Sequence, residues 1–345
     1  MIWVGGHIQT SLGKGFETNL KAILAGEGGG EPVRRMATDD DFVTRCVQSV
    51  MCACGDRLSP TDKETVVILS STKGDQLDLW TPATELCRRT GNPNPPIVVS
   101  NACTSGVCAQ IVAARLIESG KYKAAIVTGC DIITEFIRSG FDVLKALSAN
   151  PCKPFDAERD GINLGEAVAT MVVADETWCK ERHPEPSMYW QYQAGSIHND
   201  ANHITGPSRT GEGSYRCLSD VLTNVSVEEI SMIGLHGTGT LYNDEMESIA
   251  LHRAGLSGTA ANSLKGYFGH TLGAAGLLET MLCLYALEQG LILPTKGFER
   301  QGTTYPVSVS ADVRKTEPRE SMQFVKLLSG FGGTNAAVRY KRCNQ

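Results

Sequence analysis

Short apolar runs rich in Val, Ile and Ala alternate along this chain with longer stretches in which apolar residues recur every three or four positions. The first kind reads as buried strand and the second as helix. Strands are predicted over 2–6, 65–70, 97–99, 124–129 and 167–173, and helices over 18–24, 42–52, 82–89, 110–117 and 141–147. The Gly-rich segment 26–30 reads as a loop, and Asn92-Pro93-Asn94-Pro95-Pro96 punctuates the chain ahead of the strand at 97–99. Charge and proline gather at Glu181-Arg182-His183-Pro184-Glu185-Pro186, which divides the chain into 1–184 and 185–345. Beyond that point strands are predicted over 188–195, 231–235, 307–309 and 324–328, and helices over 215–223, 243–253 and 272–287. Strands alternating with helices predict an α/β fold whose largely parallel sheet is covered on both faces. Each half sets polar residues at the C-terminal ends of its strands, where open α/β sheets hold their ligands.

With 345 residues, 41% of them hydrophobic, the chain can bury a core in one large domain or two of ordinary size. A formal charge of −6 argues against broad binding of nucleic acid or of an anionic membrane surface. No apolar run reaches the length of a membrane span, and Met1-Ile2-Trp3-Val4-Gly5-Gly6 lacks the basic flank of a secretory signal, so a cytoplasmic location is expected. Twelve cysteines at irregular intervals do not resemble a disulfide framework. The close pair Cys52-Ala53-Cys54 lacks the spacing of a zinc site, and no metal is expected.

The candidate chemistry begins at Ile97-Val98-Val99-Ser100-Asn101-Ala102-Cys103-Thr104-Ser105-Gly106, where a buried strand hands over to a helix. Unpaired N–H groups and the helix dipole at such a place favour a thiolate, so Cys103 is expected to ionise below the ordinary thiol value of about 8.5. The alternative is a cysteine that merely packs, since this residue type is among the most buried. Two histidines stand in small-residue settings, in His236-Gly237-Thr238-Gly239-Thr240 and in Gly269-His270-Thr271-Leu272-Gly273-Ala274-Ala275-Gly276. Each alone could be a hydrogen-bonded core residue; two at element boundaries beside glycine point to a site. A thiolate that takes and releases an acyl group, with two neutral imidazoles donating N–H bonds to an oxyanion, suits acyl transfer followed by carbanion attack. Nothing around Cys103 has the local signature of a cysteine protease.

Taken together, Asn101-Ala102-Cys103-Thr104-Ser105-Gly106, His236-Gly237-Thr238-Gly239-Thr240 with Asp244, Lys265 five residues before His270, Gly269 to Gly276, and Gly330-Phe331-Gly332-Gly333-Thr334-Asn335 resemble the beta-ketoacyl-acyl carrier protein synthases of the thiolase superfamily, in their elongating Cys-His-His branch. The resemblance implies a thiolase-like fold of two similar halves in a layered αβαβα arrangement. It implies an acyltransferase, a 3-oxoacyl-[acyl-carrier-protein] synthase, that condenses malonyl-carrier protein with an acyl group on Cys103 in fatty acid or polyene/polyketide synthesis. His236 and His270 would assist decarboxylation and steady the enolate. Lys265 would pair with Glu279, the N–H groups of Cys103 and Phe331 would form an oxyanion hole, and Phe331 would gate the site. Thr238 and Thr240 would bond a phosphopantetheine arm that arrives on the carrier protein, so no resident cofactor is implied. Asp244 and Glu247 would support the site, as would Pro154-Phe155-Asp156 with Arg159-Asp160-Gly161 and Gly165-Glu166-Ala167. Lys145 matches a docking position for the acidic carrier protein at an entrance expected to be basic, with Lys121, Lys123 and Arg138 as weaker candidates. The partner implied is a second ketosynthase chain, in a homodimer or heterodimer. The alternative is a non-catalytic chain-length or partner subunit of a heterodimeric ketosynthase, although such subunits lack the nucleophile. Two departures stand out: the segment between the first strand and Cys103 is shorter than in the family, and Leu327-Leu328-Ser329 replaces Asn-Ser-Phe before the Gly-Phe-Gly-Gly motif.

Overall fold

A computed structural model describes residues 1–182, 188–318 and 320–344. Ten strands lie in one continuous sheet: β1 (Ile2–Thr10), β2 (Thr65–Ser70), β3 (Ile97–Val99), β4 (Ala124–Asp131), β5 (Ala167–Ala174), β6 (Met188–Asn199), β7 (Ile230–Gly234), β8 (Ala261–Asn262), β9 (Gln323–Gly330) and β10 (Thr334–Asn344). Their order across the sheet is β8-β7-β9-β10-β6-β1-β5-β4-β2-β3, with Gly13–Lys14 pairing beside β1. Read inward from either edge, the order is third, second, fourth, fifth, first strand of that half. The directions repeat too: β2 is parallel to β3 and β4 as β7 is to β8 and β9, and the remaining neighbours are antiparallel. The sheet is therefore mixed, not largely parallel. The apolar runs at 66–69 and 167–174 are buried on both faces, so they carry no alternation from which a direction could be read.

The helices are α1 (Phe16–Leu24), α2 (Phe42–Cys54), α3 (Trp80–Thr90), α4 (Ser105–Glu118), α5 (Glu135–Val143), α6 (Glu176–Arg182), α7 (Glu212–Val221), α8 (Leu241–Arg253), α9 (Lys265–Phe268) and α10 (Ala275–Glu288). Helices α2 and α3 cover the outer face of the first half, and α7 and α8 that of the second. Between the halves lie α4 and α10, which pack on each other and on strands of both, completing five layers. Helix α10 is apolar on all sides, the pattern of a helix with no solvent face, and of its residues only Tyr285 and Glu288 are not fully buried. Its close approach to α4 rests on glycine: a Cβ on Gly106 would lie 3.0 Å from the Gly276 Cα and from the Gly273 carbonyl oxygen.

Three expectations fail. The helix predicted over 141–147 begins six residues earlier, only Ile137 of α5 is buried, and of the apolar residues that set the phase Val143 and Leu144 are exposed. Residues 307–309 form no strand, although the Ser308 carbonyl accepts from Ala261 N. Strand β10 was not foreseen, because its alternation carries Arg339, Lys341 and Arg342 and reads as polar. The predicted boundary at 184/185 falls in 183–187, outside the described residues.

Candidate active site

The strand β3 ends at Val99, and the chain turns through Ala102 at φ +46°, a left-handed conformation uncommon for a residue with a Cβ. Side chains hold that turn: Ser105 Oγ donates to the Ala102 carbonyl at 2.6 Å and accepts from Asn101 N at 2.8 Å, and Thr104 Oγ1 donates to the Asn101 carbonyl at 2.7 Å. Cys103 is thereby raised into the interior just ahead of α4, and it is 6% exposed. The backbone N–H groups of Phe331 and of Cys103 itself bear on the sulfur. Gly330 fits closely here, since a Cβ would stand 3.1 Å from Cys103 N.

His236 follows β7. Its backbone N–H and that of Gly237 donate to the two oxygens of Glu247 at 2.7 and 2.6 Å. Asp244 takes the N–H groups of Thr238, Gly239 and Phe155 at 2.9, 3.1 and 2.7 Å. Both acids belong to the first two turns of α8, so one helix fixes the whole His236 loop. His270 is held by its backbone, N–H to the Asn163 carbonyl at 2.7 Å and carbonyl to Gly165 N–H at 2.9 Å. The two rings meet edge to face with centroids 5.3 Å apart.

Ligand-type atoms of Cys103, His236 and His270 all lie within 4.8 Å of one another. One thiol and two imidazoles converging in this way can act as a nucleophile with two N–H donors. His236 Nδ1 and both nitrogens of His270 are buried with no partner among the described residues, leaving them for a bound molecule. Burial, then the Lys265 charge, holds both imidazoles well below the usual histidine range, with Lys326 adding to the effect and each ring therefore neutral. Cys103 departs from its expectation. Burial pushes its thiol up to about 11, and the opposing pull of Lys265 and of the two N–H groups does not offset the loss of solvent.

Behind the histidines, Lys265 Nζ donates to Glu279 Oε1 at 2.8 Å, the pairing that the resemblance implied. The sequence reading missed Lys326, whose Nζ stands 2.5 Å from the other oxygen of Glu279 and donates to the Leu235 carbonyl at 2.8 Å. A lone charged residue inside the apolar run Phe324-Val325-Lys326-Leu327-Leu328 was the available signal.

Cys103, both histidines, Thr238 and Thr240 line one cavity of about 440 Å³. The threonine hydroxyls are 2.8 Å apart. Phe331 lines the same space and its ring packs on Phe141, centroids 5.3 Å apart. Lys145 is exposed at this cavity in a left-handed turn, φ +55°. The lining is not uniformly basic, for Asp160 and Asp200 share it with Lys145 and His203. Lys121 and Lys123 precede β4 and so stand at the opposite end of the parallel strands from Cys103, while Arg138 is committed to Glu135 at 2.7 and 2.9 Å.

Comparison with known proteins fits this geometry. The family descriptions "Beta-ketoacyl synthase, N-terminal domain" and "Beta-ketoacyl synthase, C-terminal domain" match residues 78–177 and 191–299. The chain belongs to the beta-ketoacyl synthase family. It is 31% identical over 266 residues to 3-oxoacyl-[acyl-carrier-protein] synthase 2 of Vibrio cholerae, an alignment covering 73% of this chain and 63% of the relative. It is 30% identical over 268 residues to a putative polyketide beta-ketoacyl synthase 1 of Streptomyces cyaneus, covering 74% and 63%. The chain thus spans 63% of the length of these curated relatives. A solved structure described as the ishigamide ketosynthase/chain length factor superposes with a TM-score of 0.88 at 22% identity, over 99% of this chain and 98% of the other, a likeness of fold. Among the described residues no helix is long and apolar enough to cross a membrane.

Proposed function

We propose that this chain is a beta-ketoacyl synthase that carries out decarboxylative Claisen condensation on thioesters. The observation that carries the reading is the convergence of Cys103 Sγ with His236 and His270 nitrogens within 4.8 Å, in one cavity. Cys103 sulfur attacks the carbonyl carbon of an acyl thioester, the bond from that carbon to the donor sulfur breaks, and the thiol proton passes through an imidazole to the departing thiolate. The N–H groups of Cys103 and Phe331 receive the oxyanion. A malonyl thioester then enters and its carboxylate leaves as carbon dioxide, the bonding pair becoming an enolate beside His236 and His270. Neutral N–H donors steady the enolate oxygen without protonating the carbon early. The enolate carbon attacks the acyl carbonyl, Cys103 departs as thiolate, and the product is a β-ketoacyl thioester two carbons longer. No electron acceptor enters this balance.

Thr238 and Thr240 are the candidates for holding the pantetheine arm, and Lys145 for meeting an acyl carrier protein, the donor named by the Vibrio cholerae relative. A second ketosynthase-like chain is the proposed partner, as a like copy or as a chain length factor of the kind named with the ishigamide ketosynthase. The presence of the nucleophile and both imidazoles favours the catalytic over the chain-length role. Incubating the chain with acyl-pantetheine and malonyl-pantetheine tests the reading: a β-ketoacyl product two carbons longer and one carbon dioxide per turnover are expected, with no β-ketoacyl product from Cys103→Ala. Carbon dioxide release with no chain extension, from any acyl donor, contradicts it.

A further inference from the structure

The buried charges behind the histidines do not balance. Lys265 and Lys326 are each 1% exposed and Glu279 is 3% exposed, so two ammonium groups share one carboxylate away from water. Such an arrangement is costly, and replacing a buried ionic cluster with apolar side chains is often neutral or stabilising, so packing alone does not account for the extra lysine. The other buried acids near the imidazoles are held by other partners. On α8, Glu247 and Asp244 are spent on backbone N–H groups, and burial, then the nearness of Asp244, raises Glu247 to about 7. On β4, Asp131 is turned to Thr72 N, Ser71 Oγ and Gly273 N, and burial raises it too. Cys283 on α10 and Cys103 are held as neutral thiols by burial.

Lys326 also joins three catalytic elements. It lies on β9, whose end leads to Phe331; it reaches Glu279 on α10, whose first turn follows His270; and it donates to the carbonyl of Leu235, the residue before His236. Resting on the synthase reading above, we propose that Lys326 is a positioning residue for the condensation, fixing the backbone that presents His236 and backing the pocket with a positive charge that Glu279, already paired with Lys265, does not match, which favours the enolate.

Charge-count variants separate this from a structural role. Lys326→Met leaves the Lys265–Glu279 pair intact and removes the surplus charge; Lys326→Met with Glu279→Gln restores it, since Lys265 then stands alone. In Lys326→Met the acid limb of the pH profile of kcat moves upward by about one pH unit, because an imidazole relieved of a cationic neighbour takes a proton more readily. In the same variant kcat falls about tenfold or more while KM for the acyl donor holds, and the double variant returns the limb toward its original position. An unmoved limb in Lys326→Met, or losses that simply accumulate in the double variant, overturns the proposal. Acylation of Cys103, read by intact mass, is expected in both variants; its absence from the unsubstituted chain would instead overturn the synthase reading. Should Lys326→Met not fold, nitrogen-15 NMR titration of Lys326→Gln decides: the site histidines are expected to take a proton at higher pH than in the unsubstituted chain, and an unmoved titration contradicts the proposal.

Discussion

Cys103, the proposed nucleophile, is stored as a thiol. A helix N-terminus ordinarily lowers a thiol, and that rule led the sequence reading to expect an acidic cysteine; enclosure wins here, because the sulfur has lost its water while the nearest full positive charge is already shared with Glu279. The sign is definite. With its pKa pushed up to about 11, the thiolate fraction of the unliganded chain rises about tenfold for each pH unit between 7 and 10. Alkylation of Cys103 by iodoacetamide, followed by peptide mass spectrometry, is predicted to climb throughout that range, and a plateau below pH 9 contradicts it. Thioester exchange at neutral pH then requires a base in reach, which is what two neutral imidazoles within 4.8 Å provide. The residue types were legible because their chemistry is unusual beside glycine; the shift of Cys103 was not, since burial at one position depends on packing contributed by distant segments such as 330–335.

Among the elements, the crossing of α4 and α10 matters most, since it brings the turn before one helix next to the histidine before the other. Gly106 and Gly276 permit that crossing. Gly106→Ala places a methyl group 3.0 Å from backbone atoms that cannot swing aside, and a cost of about 1–3 kcal/mol follows. Thermal melting is predicted to show a lower midpoint and acylation of Cys103 to slow; a variant as stable and as active as the parent would mean that the helices part without consequence. The sequence pattern located both helices, because their apolar stretches are too long for strands. Helix α5 was misplaced because Val143 and Leu144, whose spacing set the predicted span, are 76% and 43% exposed and report no core. Strand β10 escaped notice because Arg339, although buried in the sheet, is satisfied by the Val221 carbonyl and Gln323, partners that no local window contains.

At the scale of the whole molecule, the two halves present the same strand order and the same pattern of directions, back to back about the β1–β6 contact. The alternation of strand and helix made the doubling visible, but the antiparallel pairing was hidden, since direction is decided by where each connection crosses the layers. The consequence for function is geometric. Cys103 follows β3 of the first half, while Phe331, whose N–H bears on its sulfur, and both imidazoles come from the second, so the site forms where the halves meet. The most direct test of this account is intact-protein mass spectrometry after mixing the chain with a short series of acyl-pantetheine thioesters, alongside Cys103→Ala and His270→Ala. The account predicts a mass increase of one acyl group on the parent chain, none on Cys103→Ala, and an acyl group retained by His270→Ala that malonyl-pantetheine no longer removes. A folded parent chain that takes no acyl group from any donor would contradict it.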